Sequence, residues 1–204
     1  QMKFLNPKKI EYLYDFLWLL ITPIIPILLI YRLMIGKEEI SRIKERFGYS
    51  SINIQKKGEK LIWLHGASLG EIVSATSLSI GLREVGFKGK ILITSGTITS
   101  SYFLKKNKDI IHQYHPLDNK KWVNRFLNFW KPDILIMVES EIWPNFIICS
   151  KNKKIPIIMA SAQVSNSSFK RMSKIGYDNT NFLFSQIDQI FTTDENQTKK
   201  FKLM

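Results

Sequence analysis

The sequence predicts an α/β fold, a parallel sheet with helices on both faces, preceded by a hydrophobic amino-terminal helix. Two observations carry this. From residue 61 onward, short apolar runs alternate with amphipathic stretches, the signature of βαβ units. Before that, Phe16–Tyr31 (FLWLLITPIIPILLIY) is sixteen residues without a charge. The chain has 204 residues, 45% of them hydrophobic, which suffices to bury a core and excludes bulk disorder.

The amino-terminal run comes first. A membrane-crossing helix needs about 20 apolar residues. The uncharged stretch is close to that, and extending it back over Tyr12, Leu13 and Tyr14 takes in only Asp15. Pro23 and Pro26 predict a kink. Trp18 and Tyr31 suit the water–lipid boundary, and lysines and arginines flank both sides. No small-x-small cleavage site follows, which argues against a removed signal peptide. Residues 1–35 are therefore expected to anchor the chain to a membrane or lie in its interface, with the remainder cytoplasmic. Residues 36–60 read as a basic connector.

In residues 61–204 the expected strands are Leu61–Leu64, Ile91–Thr94, Ile110–Tyr114, Ile134–Val138, Pro156–Ala160 and Gln189–Thr192. The expected helices lie near 71–85, 99–107, 119–130, 142–150, 167–176 and 179–186. In such sheets ligands bind beyond the carboxyl ends of the strands, so the loops that follow each strand are the ones to inspect. The sequence contains neither G-x-G-x-x-G nor G-x-x-x-x-G-K-[ST], so dinucleotide and P-loop readings lack their motifs.

Composition narrows the partners. Lys+Arg 30 against Asp+Glu 17 gives +13, which favours a polyanion: an anionic membrane surface, a phosphorylated substrate or nucleic acid. Nucleic acid is disfavoured, because no RNP motif, zinc finger or basic–aromatic interleaving accompanies the charge. The single cysteine, Cys149, excludes an internal disulfide framework and reads as a small core residue. His112-x-x-His115 lacks a third ligand nearby, and Pro116 breaks any helix the pair could share, so no metal site is expected.

Three loops carry candidate chemistry. After the first strand, His65-Gly-Ala-Ser68-Leu-Gly70-Glu71 contains S-x-x-E before an apolar run. That is a capping box, in which Glu71 returns to the backbone of Ser68. The same carboxylate at a strand's carboxyl end could instead face the cleft as a general base; spacing leaves both open. The second loop, Thr94–Ser101, is dense in hydroxyls. Thr97 and Thr99 could bind a phosphate or carboxylate, or simply cap a helix. After the fourth strand, Glu139-Ser-Glu141-Ile-Trp-Pro-Asn145 places two carboxylates, a tryptophan and an asparagine where a sugar-handling site could use them; dipole-complementing caps are the structural alternative.

These strings together resemble the amino-terminal half of the 3-deoxy-D-manno-octulosonic acid (Kdo) transferases of lipopolysaccharide synthesis. The matching pieces are the S-x-G-E core within His65–Glu71, Thr94–Ser100, Tyr114-His-Pro-Leu-Asp118 and Arg125-Phe-Leu127. Lys131-Pro-Asp133, Glu139–Asn145, Ile155-Pro156 and Ser165-x-x-Ser168-Phe169 follow in the same order. The resemblance runs from about residue 12 to the end. It implies the amino-terminal, Rossmann-like half of a GT-B glycosyltransferase, which receives the lipid A precursor, while a carboxyl-terminal domain binds the donor CMP-Kdo. It further implies inverting transfer without metal or cofactor at the cytoplasmic face of the inner membrane. Glu71 would be the base and Glu139 the transition-state stabiliser, with Ser68, Gly70, Thr97, Thr99, Glu141 and Asn145 contacting substrate. One departure stands out: where the family has N-A-R-x-S, this chain has Ser161-Ala-Gln163-Val-Ser165. The donor domain is expected to lie outside these 204 residues, and the chain alone to be inactive. A noncatalytic, membrane-associated lipid-binding relic of such an enzyme is the alternative.

Overall fold

The computed structural model describes residues 7–53, 58–139, 142–175 and 177–203. Six strands, β1 (Leu61–His65), β2 (Lys90–Ser95), β3 (Ile111–Tyr114), β4 (Ile134–Val138), β5 (Ile157–Ala162) and β6 (Gln189–Thr192), form one sheet. All pairings are parallel and the order is β3-β2-β1-β4-β5-β6. The chain builds outward from β1 to β3, then returns to place β4 on the other side of β1. That reversal opens a crevice beyond the carboxyl ends of β1 and β4.

Strand alternation sorts the core into two layers. Leu61, Trp63, Leu92, Phe126 and Phe146 pack on one face, and Ile62, Leu64, Ile72, Ile91 and Ile93 on the other. The helices are α3 (Leu69–Glu84), α4 (Ile98–Leu104), α5 (Lys120–Trp130), α6 (Pro144–Asn152), α7 (Asn166–Ile175), α8 (Tyr177–Phe184) and α9 (Glu195–Lys202). The expected strands and helices correspond to these with shifts of a few residues at their ends. The last helix, which the sequence reading did not single out, is capped by Asp194, whose carboxylate accepts from Gln197 N–H at 2.8 Å.

Ahead of the sheet, α1 (Pro7–Ile21) and α2 (Ile25–Met34) run on through a 3₁₀ turn at Thr22–Ile24. Pro23 and Pro26 stand at the starts of the turn and of α2, where a missing N–H costs little. Glu11–Met34 spans 24 residues, and its most apolar 18-residue window has a mean hydropathy of 2.1, long and apolar enough to cross a membrane. Only 11% of its most apolar window is buried, and Leu19, Ile24, Ile27 and Ile30 are exposed. One side of this segment is docked: Tyr14 donates to Asp118 Oδ2 at 2.8 Å, and the Trp18 ring lies edge-on to Trp122. Ile25 and Leu29 are buried beside Trp122.

Within the stretch read as a basic connector, Ile40–Phe47 forms a 3₁₀ helix built into the body. Glu45 and Arg46 are almost fully buried. Glu45 Oε2 accepts from Tyr114 N–H at 2.7 Å, while Arg46 donates to the Gly96 carbonyl at 2.7 Å and to Glu38. Arg42 and Arg46 both stack on the Tyr114 ring. Charged side chains can be buried here because each is paired and hydrogen-bonded.

Candidate active site

The loop after β1 is shaped by close approach. A Cβ on Gly66 would stand 2.8 Å from Glu71 Cβ, so only glycine lets the loop fold back onto the start of α3. Ser68 caps that helix, accepting from Glu71 N–H at 3.3 Å. Its hydroxyl donates to Glu71 Oε1 at 2.6 Å, and Ala67 N–H donates to Glu71 Oε2 at 2.8 Å. The capping box is thus real but shifted: Glu71 returns to the backbone of Ala67 and to the Ser68 hydroxyl, not to the backbone of Ser68. Glu71 is 6% exposed. A carboxylate has about four lone-pair sites, and the two hydrogen bonds leave roughly half of them to accept a proton. Capping and a basic role are therefore compatible. Ser68 and Gly70 are exposed at the loop surface.

The neighbouring loop after β4 is held differently. Glu139 has φ 63°, a left-handed conformation costly for a residue with a Cβ. Its N–H donates to the Ala160 carbonyl at 2.8 Å, which ties the turn to β5. Its carboxylate has no hydrogen-bond partner among the described residues. Ser161, at the end of β5, is also left-handed (φ 55°), and the β5–β6 register shifts there. Strained backbone at two adjacent strand ends is the kind of feature that collects at functional edges. Glu141 lies outside the described residues.

Asn145 is placed apart from these groups. It is fully buried; its amide donates to the Asp118 carbonyl at 2.6 Å and its N–H to Asp118 Oδ2. Asp118 Oδ1 accepts from Phe146 N–H, so Asp118 caps the first turn of α6, whose own N-cap residue, Trp143, makes no side-chain capping bond. Burial pushes the Asp118 carboxyl up to about 7, against the three hydrogen bonds it accepts. Asn145 thus shapes the loop rather than facing the crevice.

Beneath both loops lies a cluster that sequence spacing did not reveal. His65 and His115 meet edge-to-face at 5.4 Å between centroids; Trp143 sits 5.1 Å from His115 and 6.0 Å from His65. His115 Nδ1 donates to the Pro116 carbonyl at 2.8 Å, and His65 Nδ1 lies 2.9 Å from Thr94 Oγ1. His65 Nε2 is buried without a hydrogen-bond partner among the described residues. Burial holds His65 down to about 3 and His115 well below the usual histidine range, so both rings are neutral near pH 7. His112 is turned to other partners, Ser95 Oγ at 2.8 Å and Arg42 at 3.2 Å. No group of three or more metal-ligating side chains occurs among the described residues. Cys149 is buried, its thiol pushed up to about 12 by desolvation, as fits a core residue.

The loop after β2 closes onto the loop after β1. A Cβ on Gly96 would stand 2.9 Å from the Ala67 carbonyl and 3.3 Å from His115 Nε2. Thr97 caps α4, accepting from Ser100 N–H at 3.2 Å; Thr97 and Thr99 are exposed.

Strand order, crevice and loop set define a Rossmann-like domain of the kind from which GT-B glycosyltransferases are built. Residues 41–204 match the family model described as 3-Deoxy-D-manno-octulosonic-acid transferase (kdotransferase), and the chain belongs to that family. It is 38% identical over 164 residues to the 3-deoxy-D-manno-octulosonic acid transferase of Rickettsia bellii (strain RML369-C), covering 79% of this chain and 38% of that protein. It is 33% identical over 162 residues to the Haemophilus influenzae (strain ATCC 51907 / DSM 11121 / KW20 / Rd) enzyme of the same name, covering 78% and 38%. The chain thus spans about two-fifths of the length of these curated relatives. Among solved structures, a Listeria monocytogenes protein assigned to the UDP-N-acetylglucosamine 2-epimerases superposes with a TM-score of 0.51 at 12% identity, over 71% of this chain and 42% of that one. That likeness concerns the fold alone.

Proposed function

We propose that this chain is the acceptor-binding part of a Kdo transferase. It would act at the cytoplasmic face of the inner membrane, with a lipid A precursor at the β1/β4 crevice and CMP-Kdo held by a separate donor domain. Residues 1–35 serve as the membrane anchor and 61–204 as the acceptor domain. Glu71, buried yet hydrogen-bonded at the carboxyl end of β1, carries this reading. The acceptor hydroxyl oxygen attacks the anomeric carbon of Kdo, its proton passes to Glu71, and CMP leaves with the electron pair of the broken bond. Glu139 favours the positive charge that develops at the anomeric centre.

The test joins this chain to the carboxyl-terminal part of the Rickettsia bellii relative and measures Kdo transfer. Glu71→Gln should lower turnover by about 10²–10⁴-fold, the usual worth of a positioned base. Glutamine can still accept from Ala67 and donate to Ser68, so the midpoint of unfolding should barely move. Wild-type turnover in Glu71→Gln would leave capping as the residue's sole role.

A further inference from the structure

A cleft of about 380 Å³ lies where the amino-terminal segment meets the loop after β2. It is lined by Arg32, Gly36, Lys37, Thr97, Ile98 and Thr99. Arg32 lies in the last turn of α2, and Lys37 N–H donates to the Arg32 carbonyl at 2.8 Å, closing a turn that brings the two cations side by side.

The charge there is not balanced from within. Arg32 Nε donates to Glu38 Oε1 at 2.8 Å, but the same carboxylate is already held by Arg46 through two hydrogen bonds at 3.0 and 3.1 Å. Two guanidiniums on one carboxylate leave one positive charge over. Lys37 is exposed and makes no ion pair or hydrogen bond through its side chain among the described residues, nor does the Thr99 hydroxyl. Two uncompensated positive charges and two hydroxyls therefore face one cleft. Through Arg32 the cleft adjoins the end of the exposed apolar segment Glu11–Met34, and the Gly96 end of the loop after β2 approaches Ala67, next to Glu71.

We infer that this cleft binds the phosphate monoester of a membrane lipid. A monoester carries close to two negative charges and three terminal oxygens, matching the two cations and the hydroxyl donors; a diester offers one charge and two such oxygens. Acyl chains would extend along the uncovered side of α2. Only the identification of this lipid with the sugar acceptor rests on the proposed function; the phosphate site stands on the charges and the cleft.

The test uses the full chain in neutral detergent micelles and calorimetric titration with three probes: dihexanoyl phosphatidic acid, dihexanoyl phosphatidylglycerol and inorganic phosphate. Phosphatidic acid should bind at least tenfold more tightly than either of the others. Lys37→Gln/Thr99→Ala, which leaves the buried Arg32–Glu38–Arg46 pairing intact, should weaken phosphatidic acid about tenfold and leave phosphatidylglycerol unchanged. Lys88→Gln/Lys108→Gln, two exposed charges just before β2 and β3, at the amino-terminal ends of the strands, should change neither. Equal binding of monoester and diester, or equal losses in the two double variants, would reduce the site to diffuse surface charge and overturn the inference. Inorganic phosphate binding as tightly as the lipid would assign the cleft to a free anion and overturn the lipid. The titration involves no donor and no turnover. Its failure leaves the role of Glu71 untouched, and wild-type turnover in Glu71→Gln leaves the phosphate site standing.

Discussion

Glu71 and Glu139 follow neighbouring strands, β1 and β4, yet the chain holds them by opposite means. Glu71 is fixed through its side chain: a hydroxyl and a backbone N–H grip its two oxygens, and Gly66 makes room for the grip. Glu139 is fixed through its backbone, in a left-handed turn tied to β5, with its carboxylate unengaged among the described residues. A carboxylate held by donors is positioned and stabilising at once. One held by strained backbone is positioned at a cost to the fold. Only the second arrangement is a clear departure from what folding alone would select.

The largest effect should come from acid, because the fold buries three imidazoles, two of which, His65 and His115, lie beneath both loops. His65 and His112 are held down to about 3 and His115 well below its ordinary value, with burial the leading cause in each. In the unfolded chain all three protonate near pH 6.5. Between about pH 6.5 and 3 the unfolded state therefore binds more protons, and stability falls as pH falls. Asp118 works the other way. Its carboxyl is raised to about 7 from 3.8, so it contributes stability that is present below about 4 and lost as pH rises through 7. Three histidines outweigh one carboxylate, and each net proton is worth about 1.4 kcal/mol per pH unit. Denaturant midpoints of the full chain in detergent should drop steadily from pH 6.5 to pH 4. A flat or rising profile would mean the imidazoles are charged in the fold, and would remove the common floor on which the two loops are compared.

Gly66→Ala attacks the first loop alone. The new methyl would meet Glu71 Cβ at 2.8 Å and Glu71 C at 3.2 Å, atoms that cannot swing aside. The expected loss is about 1–3 kcal/mol, as for overpacking elsewhere. Gly70→Ala is the control, since its Cβ would find nothing nearer than Ser68 Oγ at 3.9 Å, and it should cost far less. Similar losses at both positions would show that generic loop stiffening, not the contact with Glu71, sets the cost.

How much of this could be read from the chain follows the range of the interactions. The sheet was legible because each strand's apolar run is local, and S-x-x-E announced the Ser68 cap. The one-residue shift of its return bond was not, because it depends on how tightly Gly66 folds back. His112 and His115 make no shared site for a geometric reason. His112 and His115 are three apart, and on an extended strand an odd spacing sends side chains to opposite faces. The pairing that forms, His65 with His115, joins separate loops and leaves no spacing signature. Ile40–Phe47 (ISRIKERF) reads as part of a basic connector because half of it is charged. Only three-dimensional pairing with Glu38, Tyr114 and Gly96 makes its burial tolerable. Asn145 likewise looked like a ligand contact until Asp118 was placed beneath it.

The smallest effect tests the loop after β4 by removing its strain. A left-handed residue with a Cβ costs about 1–2 kcal/mol, and glycine returns roughly half of that through its greater freedom in the unfolded chain. Glu139→Gly should therefore raise stability by about 0.5 kcal/mol while lowering Kdo transfer in the joined protein. Glu71→Ala should lower both, because it strands the Ala67 N–H and the Ser68 hydroxyl, at about 1 kcal/mol or somewhat more. Opposite signs in stability with the same sign in activity are the outcome that keeps the two carboxylates distinct. If Glu139→Gly destabilises the fold as Glu71→Ala does, the Glu139 side chain is holding the loop. The left-handed turn would then be a consequence of that contact, not the device that positions the carboxylate.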